Sequence, residues 1–518
     1  MAGVKPSILY LAIIISLGGF LFGFDAAIIS GVGGLAVREF GLGDLEYGVL
    51  VGAPSLAAII AGLVVGPLSD LIGRKRTLLI VAALYSASAA LSAWAPDFQT
   101  LVWARALGGF AFASLVLAPL YIAEIAPAEQ RGGLVSINQL NIVVGFAVAY
   151  FTSYYLLLAS QSDSAFVQAI GLAEHNWRWM LGVELLPAAL FFFALLAAPE
   201  SPRWLMLHHR EDQARKVINR LYPSEDTDEA IEEIRDSIAA SRAQDKTPFH
   251  LFLKPGVLAL LGIGLVVAVA QQITGINAVF FYAQTIFELA GAGTNAAFAQ
   301  ATSVGLVNVA FTVVAILLID RIGRKPLLIA GLAGVVISMG VTGYGFQQAE
   351  FTLTSEHVAE LPEEVDAAAL TPILGQTFDS DVDFRRALEN TLGEEAALQY
   401  RPELTNLAIS INAPLVLAGL LGFVASFAFS LGPVMWVLLS EIFPNRIRGL
   451  AMSAITFVNA GVSATVQILF PIQLAELGAA TTFFIYGGFG FIFLFLVMRF
   501  VPETKGSSLE ELEARMTR

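Results

Sequence analysis

Three ionisable residues stand inside long apolar stretches of this chain: Asp25, Arg105 and Glu184. A charge in hydrocarbon is costly unless it is paired, so such residues mark ion or proton work by default. A carboxylate beside a guanidinium feels two opposed pulls. The partner charge holds it ionised while desolvation favours the neutral acid, and the balance changes when water enters or leaves. All five His (His175, His208, His209, His250, His357) lie outside the apolar stretches and Cys is absent. Imidazole relays, thiol redox chemistry and a membrane-depth metal site are therefore excluded, no cofactor is called for, and proton handling falls to carboxylates. A second cluster runs Gln271, Gln272, Ile273, Thr274, Gly275, Ile276, Asn277, then Phe280, Phe281 and Tyr282. Amides make paired donor and acceptor contacts and aromatic faces stack on C–H surfaces, which suits a solute rich in hydroxyls.

The elements that position these residues follow from composition. Of 518 residues, 56% are apolar and 14% charged, too apolar for a soluble chain of this length. A helix needs ~20 apolar residues to cross a bilayer. Twelve runs qualify: 8–30, 46–67, 77–95, 100–123, 134–159, 178–198, 256–287, 298–319, 327–346, 407–440, 450–473 and 479–500. The first is read as a retained span rather than a cleaved signal, since no small-x-small site follows it. An even count puts both termini on one side. The loops of that side hold 23 of the 29 Lys and Arg, so the positive-inside rule makes it the cytoplasm. At ~1.5 Å per residue, Asp25 lies ~26 Å along the first span from that side; Arg105 and Glu184 lie ~8 Å and ~10 Å below the outer ends of the fourth and sixth. All three fall in the outer third, an arrangement expected to pair Asp25 with Arg105 and leave Glu184 as a second acceptor.

The fold class expected is an all-α membrane protein of twelve transmembrane helices, in two pseudo-symmetric six-helix bundles with cytoplasmic amphipathic helices. The bundles are placed at 1–200 and 256–501, with a helical linker at 201–255 that includes EDQARKVINRL and DEAIEEIRDSI, and a tail at 502–518. Residues 350–403 hold thirteen Asp or Glu against Arg385, Arg386 and Arg401, most of the net charge of -14. This acidic insertion is expected as a solvated outer loop. No basic stripe points to nucleic acid.

An internal repeat supports the halves. GPLSDLIGRKR (66–76) echoes LLIDRIGRKP (317–326), YIAEIAPAEQRG (121–132) echoes LLSEIFPNRIRG (438–449), and APESPR (198–203) is similar to VPETKG (501–506). Asp70 and Glu124, or Asp320 and Glu441, can pair with Arg at neighbouring helix ends, a charge-assisted latch holding the halves together on the inside when a carrier faces outward. Its members are Asp70, Arg74, Glu124, Arg131, Glu200, Arg203, Asp320, Arg324, Glu441, Arg448 and Glu503. These motifs, in this order, resemble the sugar porter family of the major facilitator superfamily, and among its members the proton-coupled pentose and hexose symporters. The resemblance implies alternating access around a central sugar site. It carries proton coupling to Asp25, Arg105 and Glu184, and sugar binding to Phe22, Gln139, Gln271, Gln272, Asn277, Phe281, Asn308, Gly432, Trp436 and Asn459, with Gly432 and Pro433 as a hinge. Two departures stand out: Phe281 replaces a tyrosine and Ala460 a tryptophan of the xylose symporters' pocket.

The expectation is a monosaccharide importer, sugar and proton being its partners and the lipid bilayer its solvent, acting as a monomer in the cell membrane. An uncoupled facilitator would move sugar without protons, a nutrient sensor would carry a long signalling tail, and a drug/proton antiporter would prefer a larger apolar cavity. No constellation supports an enzyme.

Overall fold

A computed structural model describes residues 6–127, 130–221, 227–244, 255–359, 361, 365–444 and 447–505. The expected tail beyond residue 505, linker residues 222–226 and 245–254, and residues 360 and 362–364 of the acidic segment lie outside them.

In hydrocarbon no water satisfies a stray N–H or C=O, so long apolar runs must close their hydrogen bonds internally as helices. Eleven such helices occur among the described residues: Ile8–Phe40, Asp44–Ile72, Arg74–Ala93, Phe98–Ile125, Arg131–Ser160, Asn176–Ala197, Gly256–Phe281, Thr294–Ile322, Arg324–Gln347, Ala413–Ile442 and Arg448–Phe500. The last, 53 residues long, breaks at Gly478, where φ is 77°, and is two spans. Twelve spans thus form two halves of six.

Several boundaries differ from expectation. The first helix continues past residue 30 to Phe40. Its glycine-rich stretch from Gly31 to Gly34 reads as a helix end, but a Cβ on Gly33 would lie 2.5 Å from the Tyr47 ring, so the small residue serves close packing. Asp25 therefore sits near the middle of its helix rather than in the outer third, and the extra turns project toward the insertion. The tenth span breaks at Phe429 and Ser430, just ahead of Gly432 and Pro433. Pro433 falls in the first turn of the following segment, where its missing N–H costs no helical bond.

The linker folds as three short helices, Pro202–Leu207, Glu211–Leu221 and Thr227–Gln244. They share an apolar cluster of Trp204, Leu205, Ala214, Ile218 and Ile231.

The acidic segment is not a solvated loop. Strands β1 (Glu350–Thr352), β2 (Thr377–Phe378) and β3 (Ile409–Ser410) make an antiparallel sheet in the order β2-β1-β3, with Phe351 opposite both Phe378 and Ile409. Helices Asp381–Leu392 and Glu394–Ala408 cover it. Phe351, Leu353, Leu370, Phe384, Leu388 and Leu404 form a core of its own, each at most 2% exposed. Among the described acids Glu350, Glu356, Asp366, Asp379, Asp383, Glu394 and Glu395 are exposed, and six apolar side chains face in, which suffices for a small folded cap.

Candidate functional site

Asp25 and Arg105 are brought together as an ion pair, each 1% exposed. Asp25 Oδ2 and Arg105 Nε and Nη2 find no further partner among the described residues. Breaking such a desolvated pair strands the other charge, which costs far more than losing a surface pair. Glu184, 3% exposed, sits at the junction of Asn176–Val183 and Leu185–Ala197, within electrostatic reach of both. It makes no side-chain hydrogen bond among the described residues. Ser88 and Gly108 pack beside the pair; a Cβ on Gly108 would lie 3.6 Å from Asp25 Oδ2.

The seventh span breaks at Gly275, whose φ is 93°, and the amides gather around that break. Asn277 Nδ2 donates to Gln272 Oε1 (2.7 Å), and Gln272 Nε2 donates to Gln271 Oε1 (3.2 Å) and Asn459 Oδ1 (3.1 Å). Asn459 Nδ2 donates to Gln271 Oε1 (3.0 Å) and Ala268 O (2.8 Å). Gln271 Nε2 reaches Leu431 O (3.1 Å) and Gly432 O (3.3 Å), tying the break in the seventh span to the break in the tenth. Such a mutually satisfied ring is stiff. A hydroxyl, donor and acceptor at once, exchanges into it without stranding a group.

Two members were missed from sequence. Ser463 Oγ accepts from Asn277 and from Gln467 Nε2 (2.9 Å), and Gln467 Oε1 accepts from Ser55 Oγ of the other half (2.9 Å). The signal was present: Asn459, Ser463 and Gln467 recur every four residues, one polar stripe on an apolar helix.

Phe22, Gln139, Phe281, Asn308 and Trp436 make no hydrogen bond to this ring among the described residues. Phe22 meets Phe112 edge-on at 4.8 Å and Phe146 at 6.4 Å, and Phe146 touches Phe280 of the second half at 4.8 Å. Phe281 is buried beside that ring chain, which Phe280 rather than Phe281 joins. Asn308 is buried in the eighth span; Trp436 is 38% exposed. Gln139 is half-buried and makes no hydrogen bond among the described residues.

At the face opposite the insertion, the repeated motifs build two matching clusters, each inside its own half. Arg74 pairs with Glu124 (3.0 Å) and Asp70 (2.7 Å), and Arg324 with Glu441 (2.7 Å) and Asp320 (3.1 Å). Glu200 accepts from the backbone N–H of Arg74 (2.9 Å) and Lys75 (3.1 Å), and Glu503 from Arg324 and Lys325 (3.1 Å each) and Lys505 (2.8 Å). Burial opposes ionisation of Glu503, but these N–H donors outweigh it and hold its carboxyl below its ordinary value. Gly73 and Gly323 turn with φ of 103° and 107°, and a Cβ there would lie 2.2 Å and 2.6 Å from the Glu200 and Glu503 carboxylates; only glycine fits. Arg131, Arg203 and Arg448 stay outside both clusters. Arg203 binds Ser237 Oγ (3.0 Å), Arg448 binds Phe443 O (3.1 Å), and Arg131 is exposed.

Between the halves, the hydrogen bonds and ion pairs seen among the described residues lie from mid-depth to the insertion face. Besides Ser55 with Gln467, they include Ser30 to Gln284, Tyr47 to Thr285 (3.0 Å), Tyr150 to the Phe280 carbonyl, Gln161 to Asn295 (2.8 Å), and the ion pairs Arg38–Glu403 and Arg385–Asp44. The path through the middle is therefore sealed toward the insertion.

The family described as "Sugar (and other) transporter" matches residues 11–360 and 401–515. The chain belongs to this family. As a sugar transporter it is similar to the arabinose-proton symporter of Bacillus subtilis, 31% identical over 96% of this chain and 92% of that protein. Among solved structures, the inward-open xylose transporter XylE from E. coli superposes with a TM-score of 0.74 at 30% identity, covering 98% of this chain and 99% of that one. The proton:xylose symporter XylE bound to 6-bromo-6-deoxy-D-glucose gives 0.69 at 30% identity, with coverage of 98% and 99%. The inward-open form fits better, in keeping with the sealed insertion face. The segment skipped by the family match, 361–400, falls within the folded cap.

Proposed function

We propose that this transporter imports a monosaccharide together with one proton by alternating access. The buried Asp25–Arg105 pair carries the coupling: a carboxylate held only by one guanidinium, with Glu184 beside it, can exchange its proton when the halves move and water reaches it. Protonation of Asp25 frees Arg105 and lowers the cost of moving the first span against the fourth. The amide ring of Gln271, Gln272, Asn277 and Asn459 takes the sugar hydroxyls, with Phe22, Gln139, Phe281, Asn308, Gly432 and Trp436 around it.

In this reading the termini are cytoplasmic, the insertion is extracellular, the membrane is the cell membrane, and the monomer is the working unit. The structure then corresponds to the inward-facing state. When the carrier faces outward, the two motif clusters approach across the cytoplasmic face, and Arg131 and Arg448 become donors between halves. Relatives whose names specify arabinose and xylose, and a relative holding a halogenated glucose, keep pentoses and hexoses both in view.

The test is uptake of a panel of D-xylose, L-arabinose and D-glucose in proteoliposomes, with and without an imposed pH gradient. Sugar-dependent proton uptake is expected. Saturable sugar uptake indifferent to the gradient would leave an uncoupled facilitator.

A further inference from the structure

Above the sealed outer gate lies a roofed chamber open to solvent at its mouth. Its floor is the gate itself: Tyr47, Tyr282 and Thr285. Its roof is the folded insertion, which belongs to the second half by chain connectivity yet grips both. Arg385 pairs with Asp44 at the start of the second span (3.4 Å), and Glu403 with Arg38 at the end of the first (3.2 Å). On the other half, Arg385 donates to Ala475 O (2.5 Å), and Asp381 Oδ2 accepts from Ala479 N (3.1 Å). Lining the space are three guanidinium groups (Arg38, Arg385, Arg401) and three carboxylates (Asp44, Glu288, Asp381), beside the rings of Tyr47, Tyr282, Phe351 and Phe384.

Burial pushes the Glu288 carboxyl up to about 7, so near neutral pH the lining is close to balanced with a small positive excess, and it exerts no strong pull on an ion. Arg401 lines it without a hydrogen bond or ion pair among the described residues, and burial pushes its guanidinium below the ordinary value against the pull of Asp44. Glu288 keeps acceptor capacity beyond its bond to Thr294. Spare donors and acceptors of both kinds facing aromatic surfaces are what a neutral polyol needs and what an ion or a hydrocarbon does not.

We propose that this roofed chamber is a second monosaccharide site, in line with the central one and separated from it by the Tyr47–Thr285 gate, with Arg401 and Glu288 as its hydroxyl partners. It rests on the sugar reading above. Because both halves and the insertion build it, the site exists only while the cap is down, and it holds cargo outside before the gate opens. The family match omits 361–400, a stretch that lies within this roof.

The test is equilibrium binding of the sugar that is transported fastest to purified protein, reading the number of sites per chain. Two are expected. Asn277→Ala should remove one and Arg401→Gln or Glu288→Gln the other, each losing at least tenfold in affinity at its own site and leaving its neighbour's unchanged. A single site that disappears in Asn277→Ala and is untouched by both chamber variants overturns the second site while the transport reading stands. No saturable sugar binding in the wild type overturns both. Tighter occupation of the chamber by D-glucuronate than by the neutral sugar would overturn the polyol assignment.

Discussion

Replacing Asp25 by Asn keeps the shape of the side chain and removes its charge. One coupled carboxylate means one proton per sugar. A potential of 100 mV supplies about 2.3 kcal/mol to that proton, and one pH unit adds about 1.4 kcal/mol. Together these set a ceiling near 500-fold accumulation, at about 1.4 kcal/mol per decade. Asp25→Asn should bring that ratio to one, while exchange of labelled for unlabelled sugar at equal concentrations continues. The variant also leaves Arg105, 1% exposed, without its counter-charge, and stranding one member of a buried pair costs about 3–5 kcal/mol. A lowered melting temperature should therefore accompany the lost coupling, and Asp25→Asn with Arg105→Gln should recover stability without recovering accumulation. The assay is uptake into proteoliposomes with imposed potential and pH difference, beside counterflow in their absence. If Asp25→Asn still concentrates sugar, the pair is a structural brace and the coupling site lies elsewhere.

Three further outcomes follow from the same geometry. The chain has no Cys, so Ser30→Cys with Gln284→Cys gives two thiols across the sealed face; a short bifunctional thiol reagent should stop uptake and its reductive cleavage restore it, and undiminished uptake after complete cross-linking would show that this face does not open. Glu503 has its carboxyl held below its ordinary value of 4.5, so the stability it contributes is fully present above that value and is lost as pH falls through the lower folded value; the melting-temperature gap between wild type and Glu503→Gln should be open at pH 6 and close as pH drops below 4.5. Phe384, buried in the insertion's core, should cost about 3–5 kcal/mol locally when cut to Ala, seen as new protease cleavage within 350–410, whereas the wild-type segment resists.

Transport geometry was legible where the residue type had no cheap alternative. Asp25 and Arg105, alone among apolar neighbours, needed each other, and the amides around Gly275 had no other partner at that depth. Gln139 came from resemblance alone and Phe281 from the aromatic run after Asn277 as well, and here neither joins the bonded ring. Ser463 and Gln467 were overlooked because single hydroxyls and amides on a helix are common and only their fourfold spacing distinguishes them. The insertion misled because its acids dominate the composition. Its helices nonetheless carry Phe384 and Leu388, then Ala397, Leu404 and Ala408, on one face each, a pattern weaker than that of a span and easily hidden by charge.

By itself the sequence determined the helices, their number and the two repeated halves, since hydrocarbon leaves a long apolar run only one way to satisfy its backbone. It also determined which charges had to be buried. Only the tertiary structure decided which face of the carrier is shut, that each Arg–carboxylate cluster stays within its own half, and that the acidic segment folds into a roof clasping both. These depend on contacts between residues hundreds of positions apart, such as Arg38 with Glu403 and Ser55 with Gln467. Local pattern fixes each helix, but the relative position of two halves rests on a few weak cross-contacts that several arrangements can satisfy.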